Sequence, residues 1–138
     1  MNSQAKDIVK AFYNSDFIND AAVIETFVHP EVTLIWNSAT DGLSILNFDD
    51  LSDFFQEVSR SYIDMRIEVS HILQDDNFVT IRYKYYIRTV ENPDEEMGIA
   101  HFITIWELKD NKLYKGYQIS QPVTEKDDTQ KSYHRVKV

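Results

Sequence analysis

The sequence has no cysteine, three glycines, three prolines and no apolar run near the roughly 20 residues that a membrane-spanning helix needs. The absence of cysteine excludes disulfides, thiol nucleophiles and cysteine-ligated zinc. The first residues, MNSQAKDIVKAFYNSDF, lack the basic and apolar regions of a secretory signal. We therefore expect a cytoplasmic protein without a membrane partner.

Basic residues are also few, since 14 Lys and Arg face 23 Asp and Glu and give a net charge of −9. Contact with a phosphate backbone needs a basic patch, so this balance predicts no nucleic-acid partner. The four histidines are scattered and show no ligand spacing, so we expect no metal and no cofactor. They are His29, His71, His101 and His134.

Aromatic residues are abundant, with eight Tyr, eight Phe and two Trp in 138 residues. A chain of this length forms one domain with a core of its own. Its ring content is enough to fill that core and to line a cavity as well. We predict one domain over residues 1–123 and a polar tail over residues 124–138.

Helical spacing of apolar residues dominates the first part of the chain. The pattern over residues 8–17 predicts a first helix, with Ser3 as its cap. Asn19 opens a second helix, which ends before Pro30 because the residue before a proline disfavours helix. Asn47 caps a third helix, FDDLSDFFQEVSRSY, whose acidic first turn suits the helix dipole.

Strand alternation dominates the rest. EVTLIWN predicts a strand, and DMRIEVSHIL and FVTIRYKYYIRTV predict two more around a turn at residues 75–77. Alternation in the first of these two places Met65, Ile67, Val69, His71 and Leu73 on one face. The stretch HFITIWELKDNKLYKGYQISQP reads as a final hairpin. Helices gathered before such a meander predict an α+β fold, with three N-terminal helices packed on a curved, mainly antiparallel sheet. Helices and sheet would then enclose a conical cavity.

The final hairpin carries the candidate site. A two-residue turn at 110–111 places His101 opposite Ser120, and Gln118 on the same face. This patch must hydrogen-bond internally, to water or to a ligand, because buried unsatisfied polar groups are costly. A bulge near Gly116 would shift the register by one residue and exchange the faces. The opposite face is apolar as well, which predicts a second partner there, such as another subunit.

Three features together resemble the nuclear transport factor 2-like superfamily, in its SnoaL-like, polyketide-cyclase-like branch. They are the order of elements, the stretch HPEVTLIWNSATDG followed by the helix FDDLSDFF, and the hairpin ITIWELKDNKLYKGYQISQP. The resemblance spans residues 3–122. It implies a cone-shaped fold with a deep pocket and a homodimer packed through its sheets. The superfamily includes isomerases, dehydratases, cyclases, epoxide hydrolases and non-catalytic binders, so the fold does not determine the function.

The enzymatic patterns of the superfamily match this sequence incompletely. Ketosteroid isomerases pair a carboxylate base with a tyrosine and a protonated acid, and Tyr13 offers the tyrosine, but the hairpin strand has no Asp. Dehydratases and cyclases use a histidine with a carboxylate, for which His101 and Asp41 are the nearest analogues. The Asp-Arg-Asp group of the epoxide hydrolases has no counterpart.

Two hypotheses follow for the function. In the first, the pocket binds a small apolar or aromatic molecule, and His101 moves a proton while Tyr13 or Gln118 stabilises negative charge. In the second, the chain is a non-catalytic dimeric ligand-binding or interaction domain, and His101 is a hydrogen-bonded sheet residue. The missing carboxylate pair favours the second. The residues predicted to bind the ligand are Trp36, Tyr83, Tyr85, Gln118 and Ser120.

Overall fold

A computed structural model describes residues 4–123 of the chain. Its elements, in chain order, are α1 (Ala5–Tyr13), α2 (Ala21–Phe27), β1 (Val28–Ser38), β2 (Gly42–Leu46), α3 (Phe48–Ser61), β3 (Asp64–Asp75), β4 (Phe78–Arg88), β5 (Met97–Lys109) and β6 (Lys112–Pro122). The predicted cap Ser3 and the predicted tail, 124–138, lie outside the described residues.

The six strands form one sheet in the order β2-β1-β6-β5-β4-β3. Only the β1–β6 pair is parallel among the described strands, and the other neighbours are antiparallel. The helices pack on this sheet, α1 against β3 and β4, α2 against β1 and β6, and α3 against β1 and β2. The predicted α+β class with three helices on a mainly antiparallel sheet is therefore confirmed. The sequence analysis missed β2, which precedes α3.

The start of α3 follows the predicted capping chemistry, whereas α1 begins after Gln4, whose side chain makes no capping hydrogen bond. Asn47 caps α3 in a reciprocal arrangement, in which the backbone N–H of Asp50 donates to Asn47 Oδ1 at 2.9 Å and that of Asn47 donates to Asp50 Oδ2 at 3.1 Å. Such a capping box satisfies two backbone donors that the helix itself leaves unpaired. The second helix begins one residue later than predicted, with Asp20 as its cap.

Three strands each carry one extra residue that interrupts the ladder. The extra residues are Ser70 in β3, Ile99 in β5 and Tyr114 in β6. A bulge of this kind bends its strand and reverses the alternation of inward and outward side chains beyond it. We call the side of the sheet that the helices cover the inner face and the opposite side the outer face.

Because of the bulge at Tyr114, the hairpin register differs by one residue from the predicted one. The turn itself is as predicted, because Asp110 and Asn111 have φ angles of 55° and 61° and Leu108 pairs with Leu113. Beyond the bulge every pair shifts by one residue. A bulge near Gly116 was expected to cause such a shift and to exchange the two faces, and the bulge lies two residues earlier, at Tyr114.

The shifted register separates the residues of the predicted patch. His101 pairs with Gln121 and lies on the outer face, whereas Ser120 pairs with Phe102 on the inner face. Gln118 is also on the inner face, opposite Thr104. The prediction that His101, Gln118 and Ser120 form one patch is therefore wrong, because one bulged residue between the turn and the site reverses the faces.

The bulge at Ser70 has the same effect on β3. Met65, Ile67 and Val69 pack against the core, as predicted. Beyond the bulge, His71 and Leu73 are exposed instead of sharing that face. The prediction that His71 continues the inward row is therefore wrong, for the same physical reason.

Candidate functional site

A cavity of about 60 Å³ lies between the helices and the inner face of the sheet. Five of the seven predicted site residues line it, namely Tyr13, Trp36, Tyr83, Tyr85 and Gln118. The remainder of the lining consists of aliphatic and aromatic side chains from α1, α3 and the strands. Within residues 4–123, no acidic, basic or histidine side chain lines this cavity.

Aromatic rings form one wall of the cavity, with Phe102 at its centre. The Phe102 ring stacks on Tyr83 with centroids 5.0 Å apart and planes 4° apart. The Tyr85 ring lies 5.3 Å from it on one side and the Trp36 ring 5.9 Å on the other. A flat, polarisable surface of this kind suits an aromatic or apolar ligand.

A buried hydrogen-bond network extends behind the rings. The indole N–H of Trp106 donates to the Tyr13 hydroxyl at 3.0 Å, and both residues are buried. The Tyr13 hydroxyl also shares hydrogen bonds with Tyr83 and Thr104. Thr104, which is fully buried, donates from Oγ1 to Gln118 Oε1 at 2.7 Å. These contacts join the predicted residues Tyr13, Tyr83 and Gln118 into one cluster.

Burial determines the protonation of the phenols in this cluster. It raises the pKa of Tyr13, although the hydrogen bonds with Trp106, Tyr83 and Thr104 lower it in part. Burial also raises the pKa of Tyr83 well above 10.0, and the adjacent Tyr13 adds to that rise. Both phenols are therefore neutral at physiological pH and remain hydrogen-bond donors.

Ser120 is on the inner face but has a supporting role. Its hydroxyl accepts a hydrogen bond from the indole N–H of Trp36 at 2.7 Å. Ser120 is buried, whereas Trp36 lines the cavity directly. The contact holds one ring of the aromatic wall in place, so Ser120 supports the cavity through Trp36.

His101 lies on the other side of the sheet, away from the cavity. It borders a shallow groove of about 180 Å³ on the outer face, together with Arg82 and Gln121. Asp41, the carboxylate considered as its counterpart, is exposed in the turn between β1 and β2. The structure therefore brings neither residue to the cavity, and the predicted proton transfer by His101 has no geometric basis there.

The sequence analysis missed three residues of the site: Phe102, Thr104 and Trp106. All three alternate on β5 with the buried Leu108 and point inward, and the bulge at Tyr114 brings Gln118 and Ser120 of β6 onto the same face. The sequence did contain a signal for the inward face of β5. The positions that alternate with these three residues include His101 and Glu107. A set that contains a histidine and a carboxylate is less suited to a core than one of Phe, Thr and Trp.

The cavity adjoins an open recess of about 360 Å³ between the α1–α2 loop and the start of β3. The two spaces share Phe17 and Met65 among their lining residues. The recess carries the carboxylates of Asp16 and Asp64. Arg88 forms an ion pair with Asp64 and lowers the pKa of that carboxyl group. The recess is thus a polar space beside an apolar cavity.

Two further features bear on the kind of site. Over residues 4–123, no group of three or more His, Asp or Glu side chains is arranged to hold a metal ion. In the same part of the chain, no helix is long and apolar enough to cross a bilayer. The side chains that line the cavity are aromatic rings, two of them phenols of the cluster, aliphatic groups and one amide.

Comparison with known proteins agrees with this architecture. The model of the SnoaL-like domain family matches residues 9–115. A search of curated protein sequences finds no match. Among solved structures, IdmH of Streptomyces antibioticus, a candidate polyketide cyclase, is 13% identical with a TM-score of 0.70 and covers 96% of this chain and 99% of its own.

Two other solved structures show the same fold. AusH of Aspergillus nidulans is 11% identical with a TM-score of 0.72, over 90% of this chain and 88% of its own. An epoxide hydrolase of M. tuberculosis is 13% identical with a TM-score of 0.67, over 97% of this chain and 92% of its own. At these identities the likeness concerns the fold and not the reaction.

Proposed function

Because this chain belongs to the SnoaL-like domain family, we propose that it binds a small, mostly apolar or aromatic molecule in the cavity between helices and sheet. The observation that carries this proposal is the ring-lined wall around Phe102, backed by a hydrogen-bonded cluster of two phenols and one amide. Ligand sites in proteins are typically apolar pockets with a few convergent polar groups. A longer ligand would extend into the adjoining recess.

Binding is favoured over proton-transfer catalysis by the composition of the lining. A proton-transfer enzyme needs a base within hydrogen-bond reach of its substrate. The described residues place phenols and an amide at the cavity, and no carboxylate or imidazole. Tyr13 is nevertheless suited to stabilise negative charge on a substrate oxygen, because it is a neutral donor in a buried site. Isomerase, cyclase or dehydratase activity is therefore the second candidate function. In it, Tyr13 would stabilise the negative charge that develops on the substrate.

Fluorescence titration tests the binding proposal, because Trp36 and Trp106 both line the cavity. We expect compounds from a panel of small aromatic molecules to change tryptophan emission and to raise the melting temperature. Val58→Trp should lower affinity by at least about tenfold, since it fills the cavity from α3. The same substitution at the exposed Val90 is the control. The proposal is contradicted if no compound of the panel changes tryptophan emission or melting temperature, or if Val58→Trp binds with wild-type affinity.

We also propose that two copies pair through the outer face as a homodimer. This face exposes large apolar side chains, each between 39% and 64% accessible: Leu43, Ile45, Leu73, Ile103, Ile105, Tyr117 and Ile119. Contiguous apolar patches on soluble domains mark interaction sites. A second copy fits because a two-fold dimer buries the same patch on each partner.

Strand register shows how this patch is organised. One row of paired residues crosses β2, β1, β6 and β5 and consists of Ile45, Ile35, Tyr117 and Ile105. The next row crosses the same strands and consists of Leu43, Asn37, Ile119 and Ile103. Charged and polar positions flank the two rows, with Lys115 and Glu107 on one side and Gln121 and His101 on the other. An apolar centre with a polar rim is the usual arrangement of a protein interface.

Other parts of the functional picture stay predictions. We expect ligand binding without a metal or cofactor, in the cytoplasm, and within a cone-shaped space. The net charge of −9 supports the expectation that neither nucleic acid nor an anionic membrane is a partner.

A further inference from the structure

The polar atoms at the base of the cavity are oriented by their own hydrogen bonds. Gln118 Oε1 accepts a hydrogen bond from Thr104 Oγ1 at 2.7 Å. Thr104 is fully buried, and Gln118 is only 6% exposed and lines the cavity. A carboxamide has one acceptor oxygen and two N–H donors. Since the oxygen is held by Thr104, the donors are the part of the amide that remains for a ligand.

The neighbouring phenol is oriented by hydrogen bonds of its own. The indole nitrogen of Trp106 is a donor only, so the Tyr13 oxygen must accept in their 3.0 Å hydrogen bond. Tyr83 and Thr104 are further hydrogen-bond partners of the same hydroxyl. The Gln118 amide is therefore the group that presents N–H donors to a ligand near the aromatic wall.

Resting on the binding function proposed above, we infer that Thr104 is a specificity-determining positioning residue. By holding the Gln118 oxygen, it makes the cavity select apolar ligands that carry an acceptor oxygen, such as an aromatic ketone. A ligand that brings only an N–H donor to this point would meet another donor. The site would then leave buried polar groups unpaired, which is an effective way to reject a ligand of otherwise suitable shape.

Three ligands of nearly equal shape test this inference: acetophenone, its alkene analogue α-methylstyrene, and N-methylaniline. Dissociation constants are measured by tryptophan fluorescence for the wild type, Thr104→Val, Thr104→Ser and Gln118→Leu. The quantity compared is the ratio of ketone affinity to alkene affinity within each variant, because this ratio removes differences in hydrophobic transfer common to all variants.

We expect Thr104→Val and Gln118→Leu each to lower the ketone-to-alkene ratio by about tenfold. Thr104→Ser retains the hydroxyl and should keep the wild-type ratio. Thr104→Val should also raise the relative affinity for N-methylaniline, because the amide is then free to turn its oxygen toward the ligand. Gln118→Leu should not produce this gain, since it has no oxygen to turn.

The outcomes separate this inference from the binding proposal. If α-methylstyrene binds and the ratio is the same in wild type, Thr104→Val and Gln118→Leu, the inference is overturned and the binding function stands. If none of the three ligands binds the wild type, both are overturned. Should Thr104→Val fail to fold, the ratios for Gln118→Leu and Thr104→Ser still decide the matter.

Discussion

The indole ring of Trp106 lies directly on Gly116, its cross-strand partner in the hairpin. A Cβ atom at position 116 would come within 2.7 Å of Trp106 Cζ3 and 2.6 Å of Leu34 Cδ1. Only a residue without a side chain allows this approach. It positions the indole so that its N–H reaches the Tyr13 hydroxyl on α1, and a backbone feature of β6 thereby supports the polar cluster at the cavity.

Gly116→Ala should therefore destabilise the fold by about 1–3 kcal/mol, the usual effect of overpacking a core. Urea unfolding followed by fluorescence and circular dichroism measures the free energy of unfolding. Lys115→Ala, at the exposed neighbouring position, is the control and should stay within about 0.5 kcal/mol of the wild type. Equal stability of the two variants would show that the indole does not depend on Gly116.

Tyr13→Phe should lower the free energy of unfolding by about 1–3 kcal/mol, because the buried indole N–H of Trp106 loses its acceptor. Tyr114→Phe removes a phenol hydroxyl from the half-buried bulge residue and should stay within about 0.5 kcal/mol of the wild type. Ligand affinity should fall with Tyr13→Phe alone. A stable Tyr13→Phe variant with wild-type affinity would remove Tyr13 from the site.

Stability should decline in alkaline solution through the buried tyrosines. Burial raises the pKa of Tyr85 to about 12, and burial together with the Glu68 hydrogen bond raises that of Tyr86 to about 12. A raised pKa in the folded state means that the fold binds the phenolic proton more tightly than the unfolded chain does. The stabilisation is fully present below pH 10.0 and is lost as the pH rises toward 12.

Unfolding experiments across this pH range check the linkage, with tyrosinate absorbance as a second readout. Tyr85→Phe removes one titrating group, so its stability should fall less steeply than that of the wild type between pH 10 and 12. Parallel slopes for the two proteins would contradict the raised pKa of Tyr85.

The sequence predicted the parts of this protein that depend on local chemistry. Asn47 as a cap, the turn at 110–111 and the alternation of β4 depend on neighbours within a few residues, and the structure confirms them. Tyr83 and Tyr85 were assigned to the cavity correctly for this reason. Their strand keeps its alternation from the turn at residues 76–77 to the cavity.

The predicted register of the hairpin is wrong beyond its turn, because the alternation of β6 is broken between the turn and the site. Tyr114 occupies the bulge, and it is neither a glycine nor part of a recognisable turn motif. One extra residue there moves Gln118 and Ser120 to the face of Thr104 and away from that of His101. The short strand β2 was missed because much of it is exposed, and its pairing with β1 defines it better than its own pattern does.

A charge at the centre of the outer face should dissociate the proposed dimer. Ile119 lies in the second apolar row and is 64% exposed in a single chain. A two-fold interface would bury two copies of an Ile119→Glu carboxylate without partners, which should raise the dimer dissociation constant by at least about 100-fold. Sedimentation velocity over a concentration series measures this constant.

Val90→Glu, in the exposed loop after β4, is the control and should remain dimeric. Ile119→Glu should retain ligand binding, since the cavity is on the inner face. A wild type that is monomeric at every concentration, or an Ile119→Glu variant as dimeric as the wild type, would show that this face does not join two copies.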